Sequence, residues 1–138
     1  MTKKTKLRHG RHCIFMNQVH LVFTPKYRRR VFTGAILVRL EEIFAETCLQ
    51  MDCRLIEFNG EKDHVHLLVE VHPKVAISNL VGKMKGKSSW LMRQEFWEHI
   101  KKFLWGDKFW THSYCVVSCG GASIDVVKKY IEEQVRPA

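Results

Sequence analysis

The chain has 138 residues, the size of one domain and long enough to bury a core without disulfides or a structural metal. Its 23 Lys and Arg against 14 Asp and Glu give a formal charge of +9, which points to a polyanionic partner. No apolar run approaches the roughly 18 to 20 residues of a membrane crossing. The five cysteines contain no Cys-x-x-Cys pair, which argues against a thiolate zinc site and a disulfide framework.

Residues 1–12 hold Lys3, Lys4, Lys6, Arg8 and Arg11 and no acid, and are predicted to form a basic flexible arm ahead of a single domain over 13–138. The arm accounts for five positive charges, so the domain is basic in its own right. The opening residues lack the apolar stretch of a signal peptide, so a reducing cytoplasm is the expected setting.

Residues 12–25 alternate as a first strand, with Val19, Leu21 and Phe23 on one face and His20 and Val22 on the other, and Pro25 ends it. Residues 35–51 place Ile36, Leu40, Ile43, Phe44, Thr47 and Met51 at helical spacing, opposite Arg39, Glu42, Glu46 and Gln50. "CRLIEF" and "HVHLLVEV" flank "NGEKD", and Asn59-Gly60 predicts the turn of a hairpin. A second helix is predicted over 74–97 through Ile77, Leu80, Val81, Met84 and Leu91, breaking near "HIKKFLWGD". Inside it, Gly82 and Gly86 each cost about 1 kcal/mol relative to alanine, which calls for close approach by DNA or by a packed neighbour. "FWTHSYCVVSC" reads as a fourth strand, Gly120-Gly121 releases the chain, and Ser123 caps a final helix. The order predicts an α+β domain of the ferredoxin-like or RRM-like kind: an antiparallel sheet with helices on one face, plus a C-terminal helix. The free sheet face is then available to a ligand such as nucleic acid.

Val65, Leu67, Val69 and Val71 take the helix side of their strand, so His64 and His66 project from the free face. Same-face neighbours lie about 6.5–7 Å apart, close enough for two imidazoles to converge on one metal ion, although solvent-facing histidines of an amphipathic strand would look the same. On the last helix Ile124, Val127, Ile131 and Val135 form a narrow apolar stripe, and Tyr130 lies off it with Gln134 one turn later. A phenol and an amide side by side offer a nucleophile and a metal ligand; a half-exposed tyrosine covering a neighbour is the plain alternative. Tyr114 is a second candidate nucleophile, and His20 lies on the same face as the two histidines. Lys26, Arg28, Arg29 and Arg30, with Lys83, Lys85 and Lys87, are candidate phosphate contacts, and Tyr27 a stacking platform for an unpaired base. Lys83 and Lys87 share one helical face, which Lys85 does not. Trp105, Phe109 and Trp110 read as core or dimer contacts.

"DHVHLLVE", "KYRRRVF", "LVGKMKGKSSWLMRQEF" and "LWGDKFWTHSYCVVSCGGASIDVVKKYIEEQ" occur in the order and at the spacing of the single-tyrosine, His-hydrophobe-His transposases of the insertion-sequence 200/605 family, which the chain resembles after about residue 12. The resemblance implies cleavage and rejoining of single-stranded DNA at mobile-element ends after recognition of a hairpin. It implies Tyr130 as the nucleophile of a 5′-phosphotyrosine intermediate and His64, His66 and Gln134 as ligands of Mg²⁺ or Mn²⁺. It further implies a homodimer with composite sites, in which Gly120 and Gly121 act as a hinge for the tyrosine helix. Alternatives are a host-adopted relative acting on repetitive palindromes, a noncatalytic single-stranded nucleic-acid binder, and a metal phosphohydrolase in which water attacks.

Overall fold

The computed structural model describes residues 7–10, 13–104, 108–118 and 124–134. Its elements are β1 (Arg8–His9), β2 (Ile14–Phe15), β3 (Gln18–Phe23), α1 (Gly34–Gln50), β4 (Arg54–Glu61), β5 (His64–Glu70), α2 (Ile77–Glu95), α3 (Trp97–Ile100), β6 (Cys115–Ser118) and α4 (Ile124–Glu132). Four strands form an antiparallel sheet in the order β4-β5-β3-β6, the ferredoxin-like arrangement with the first and third of the four strands in the middle.

Alternation decides which residues form the core. Val19, Leu21, Phe23, Val65, Leu67 and Val69 point to one side of the two central strands and are buried there with Ile36, Leu40, Ile43 and Phe44 of α1 and Leu80, Val81, Met84 and Met92 of α2. Thr33 caps α1 by accepting a hydrogen bond from the Ile36 amide at 3.2 Å. Phe109 and Trp110 are core residues, as expected; the Trp110 indole packs near Phe23, Phe32 and Phe44 and donates to Ser88 Oγ at 2.9 Å.

Four expectations need correction. Arg8 and His9 are not part of an arm: they pair with Ile14 and Phe15, because the buried Glu70 carboxylate draws the Arg8 guanidinium to 3.2 Å, over the Phe15 ring. The first strand breaks at Met16-Asn17, where the Asn17 carbonyl and amide side chain bond the backbone of Val71. Asn59-Gly60 is not the turn but part of β4, paired with His66 and Val65, and Lys62-Asp63 forms the two-residue loop. Packing overrides the local signal there, since the Leu37 side chain of α1 fills the space that a Cβ at position 60 would need. The fourth strand contracts to four residues, because the Thr111 and Ser113 carbonyls turn to the Lys85 ammonium instead of a neighbouring strand.

The face opposite α1 and α2 is less open than the alternation suggests. Gln18, Val22, Leu68 and Glu70 are buried on it, whereas His20, His64 and His66 are half-exposed. Among the described residues no helix is long and apolar enough to cross a membrane.

The three glycines can be told apart experimentally. Gly60→Ala should lower stability by about 1–3 kcal/mol through overpacking against Leu37. Gly82→Ala and Gly86→Ala meet nothing outside their own helix within 4 Å among the described residues and should each raise it by about 1 kcal/mol. Urea unfolding midpoints of the three variants check both signs.

Candidate active site

The register of β5 against β3 puts Val22 opposite His66 and His20 opposite Leu68, which makes His20 and His66 diagonal neighbours. His20 Nδ1 lies 2.9 Å from His66 Nε2, and the rings pack at 5.0 Å between centroids. Burial, and then repulsion from His20 and His64, pushes the His66 pKa below the usual imidazole value, so His66 is held neutral, the form in which an imidazole can bind a metal.

His64 is oriented from the hairpin loop. Asp63 Oδ1 accepts from His64 Nδ1 at 3.0 Å, which leaves Nε2 for a ligand. The other carboxylate oxygen accepts from Arg28 Nε at 2.8 Å, and Arg28 Nη1 donates to the Ile131 carbonyl of α4 at 2.9 Å. Burial alone would raise the Asp63 carboxyl, but the hydrogen bonds from His64 and Arg28 outweigh it and hold the pKa below the usual carboxylate value.

Helix α4 brings the last two candidates to the same end of the sheet. Gln134 Oε1 lies 3.5 Å from Thr24 Oγ1, a long hydrogen bond, and its Nε2 donates to the Tyr130 carbonyl at 3.3 Å. The half-buried Tyr130 hydroxyl lies 3.0 Å from Ser113 Oγ. Burial raises the Tyr130 pKa and the Ser113 hydrogen bond offsets only part of that, so the phenol is not activated by what touches it. A cavity of about 300 Å³ runs between Thr24, Tyr27, Arg28, Ser113 and Gln134. A second, of about 270 Å³, is lined by Arg28, Arg30, Glu61, Lys62, Asp63 and His64. Arg28 is the one residue shared by the two linings.

The candidate DNA contacts divide. Lys26 is half-exposed, and Tyr27, Arg30 and Lys83 are exposed. The Lys26 ammonium and the Arg29 guanidinium lie 5.6 and 6.0 Å from the Tyr27 ring. Arg28 faces inward. Lys85 is half-buried, with Nζ donating to the Thr111 and Ser113 carbonyls at 2.8 and 2.9 Å, and burial pushes its pKa down to about 8. Lys87 reaches Gln50 and Glu46 of α1. Gly120, Gly121, Trp105 and Ser123, and the side chains of Ile124, Val127 and Val135, lie outside the described residues.

Comparison with known proteins gives these positions a context. The family model described as "Transposase IS200 like" matches residues 13–134. The chain belongs to the IS200-like transposase family. This transposase is 31% identical over 129 residues to the ISDra2 transposase TnpA of Deinococcus radiodurans, covering 94% of this chain and 91% of the relative. It is 34% identical over 117 residues to the transposase for insertion sequence element IS200 of Salmonella typhimurium, covering 83% of this chain and 76% of the relative. A crystal structure of a Deinococcus radiodurans protein described as a transposase superposes with a TM-score of 0.84 at 29% identity, covering 94% of this chain and 99% of that one. A tyrosine transposase solved with a REP hairpin superposes with a TM-score of 0.57 at 8% identity over 92% of this chain and 69% of the other, a likeness of fold.

Sequence reasoning on the transposase brought forward His64, His66, Tyr130 and Gln134, and missed the groups that hold them. Asp63 was legible as the residue before the His-hydrophobe-His strand, but nothing local marks Thr24 or Ser113, which reach α4 across 110 and 17 positions. Among the described residues no group of three or more His, Cys, Asp or Glu is arranged to hold a metal. In Lys85→Met the two loop carbonyls lose their donor, and urea unfolding at pH 7 should report a loss of about 1–3 kcal/mol.

Proposed function

We propose that this transposase cleaves and rejoins single-stranded DNA at the ends of a mobile element, after binding a DNA hairpin, with Tyr130 as the nucleophile of a 5′-phosphotyrosine intermediate. The observation that carries this reading is the convergence of the C-terminal end of α4 on the hairpin loop: Gln134 borders one cavity together with Ser113, the hydroxyl partner of Tyr130, His64 borders the next, and both cavities share Arg28. Membership of the family, and the hairpin bound by the structural neighbour, support DNA hairpins as the substrate class.

His64, His66 and Gln134 are the ligands we infer for a divalent cation, Mg²⁺ or Mn²⁺. The donor set suits one: Asp63 fixes His64 with Nε2 outward, and His66 is held neutral. When bound, such a cation neutralises charge on the scissile phosphate and orients it. The chain's own residues do the rest. Tyr130 Oη attacks phosphorus, the new O–P bond forms as the 3′-oxygen leaves, and that 3′-hydroxyl is the nucleophile for rejoining. The phenol at an ordinary pKa near 10 is about 3 units from ionised at neutral pH, roughly 4 kcal/mol, and its raised pKa adds to this requirement. Lys26, Tyr27, Arg29, Arg30 and Lys83 are the surface we assign to the DNA backbone and to an unpaired base.

We further infer a homodimer. Strand β6 is an edge strand pairing only with β3 among the described residues, and Val116 on it is 42% exposed, which leaves a row of backbone groups for a second copy. The α4 contacts with Thr24, Arg28 and Ser113 are made within one chain, and a helix exchanged between subunits would meet the same groups.

Incubation with single-stranded hairpin DNA and Mn²⁺ or Mg²⁺ should yield a protein–DNA adduct that survives denaturation. The adduct should disappear in Tyr130→Phe and on chelation with EDTA, and fall steeply in His64→Ala. A gel shift without adduct or metal requirement would identify a binder instead, and cutting that persists in Tyr130→Phe a hydrolase.

A further inference from the structure

Arg28 stands in a run of basic residues that reads as a phosphate-binding patch, yet its side chain is only 12% exposed and is committed within the protein. One edge of its guanidinium holds Asp63, the carboxylate that orients His64, and the other holds the Ile131 carbonyl in the last turn of α4, one residue beyond Tyr130. A cation at the C-terminal end of a helix also complements the helix dipole. The backbone is bent to make this reach. Tyr27 and Arg28 have φ of 61° and 55°, a left-handed conformation that non-glycine residues rarely adopt, let alone twice in succession. Hydrogen bonds hold it there: Arg28 N to the Pro25 carbonyl at 2.7 Å and Lys26 N to the Phe109 carbonyl at 3.0 Å. Such outliers persist where the surroundings over-determine them, and they cluster at functional sites.

We propose that Arg28 is a positioning residue: its guanidinium latches the tyrosine helix to the hairpin loop that orients His64, so that nucleophile and candidate ligand share one register. The geometry assigns the role to arginine in particular. Two partners on different elements are met by Nε and Nη1 of one rigid planar fork, which a lysine ammonium on a flexible stem cannot reproduce. The proposal rests on the reading of Tyr130 as nucleophile and His64 as ligand, but its contact can be tested apart from that chemistry.

The test compares Arg28→Ala and Arg28→Lys with the parent full-length chain in three measurements. Hydrogen exchange by mass spectrometry on the DNA-free protein should rise across 124–134 in both variants, while amides of β3 and β5 keep parental protection. Hairpin affinity should be unchanged. Single-turnover adduct formation at saturating hairpin should fall by about a hundredfold, as a displaced reacting group implies. Unaltered exchange in 124–134 in both variants overturns the proposal, as does weakened hairpin binding with α4 protection intact, which would make Arg28 a phosphate contact. Protection lost equally from β3 and β5 also overturns it, in favour of an ordinary stabilising ion pair. If Arg28→Ala does not fold, Arg28→Lys carries the same three readouts. Raised α4 exchange in a protein whose parent forms no adduct would keep the latch and sink only the chemical reading.

Discussion

The alternation of side chains along β5 is the constraint on which the rest of the site depends. Val65, Leu67 and Val69 are fully buried beneath α1 and α2, and each is matched across the ladder by a buried residue of β3. Each such side chain is worth about 1.5–3 kcal/mol when withdrawn from water. A slip of one residue would expose all three and drive His64 and His66 into the core, so the register is fixed by several such contributions at once. The imidazoles therefore sit on the far face because their neighbours have nowhere else to go. The same register closes the hairpin at Lys62-Asp63 and puts a carboxylate next to the first histidine.

That carboxylate shows how a strongly basic chain spends its few acids. Glu70, wholly buried, is met by Arg8 and Arg54, and Asp63 by Arg28 and His64. Both acids turn cations inward and tie separate parts of the chain together: the N-terminal hairpin to the sheet in one case, the terminal helix to the hairpin loop in the other. Other cations stay at the surface: Lys26 is half-exposed, and Arg30 and Lys83 are exposed. The formal charge of +9 is thus divided between a scaffold role and a surface role, and only the second produces salt-dependent attraction to a polyanion.

The order and type of every long element were legible, because each depends on a period that the sequence displays directly: two for the strands, 3.6 for the helices. So were His64 and His66 on the face away from the helices, by the same rule. What stayed hidden was long-range. Asn59-Gly60 is a strong local turn signal, yet Leu37, more than twenty residues earlier, converts it into strand. Lys85 and Arg28 look like their basic neighbours, and only the loop carbonyls and the C-terminal turn of α4 reveal that they face inward. Arg8 looked like part of an arm for the same reason: its partner, Glu70, is 62 positions away.

The Tyr130 phenol shows what the fold does not supply. Its described partner is the Ser113 hydroxyl, a group too weakly basic to take a proton from a phenol, and burial moves ionisation further from neutral pH. The Ser113 carbonyl is gripped in turn by Lys85, so the loop that meets the phenol is braced from α2 and not left to drift. His66, Val22 and Cys115 lie in one row across three strands. Burial and the weakly basic Ser113 partner together leave the Tyr130 phenol protonated at neutral pH. On the proposed chemistry, the missing 4 kcal/mol or so of activation has to arrive with the substrate, as the developing phenolate is met by a charge-neutralised phosphate in a site from which water is displaced. A scaffold that fixes the histidines through strand register and holds the end of α4 through the Arg28 hydrogen bond fits that division.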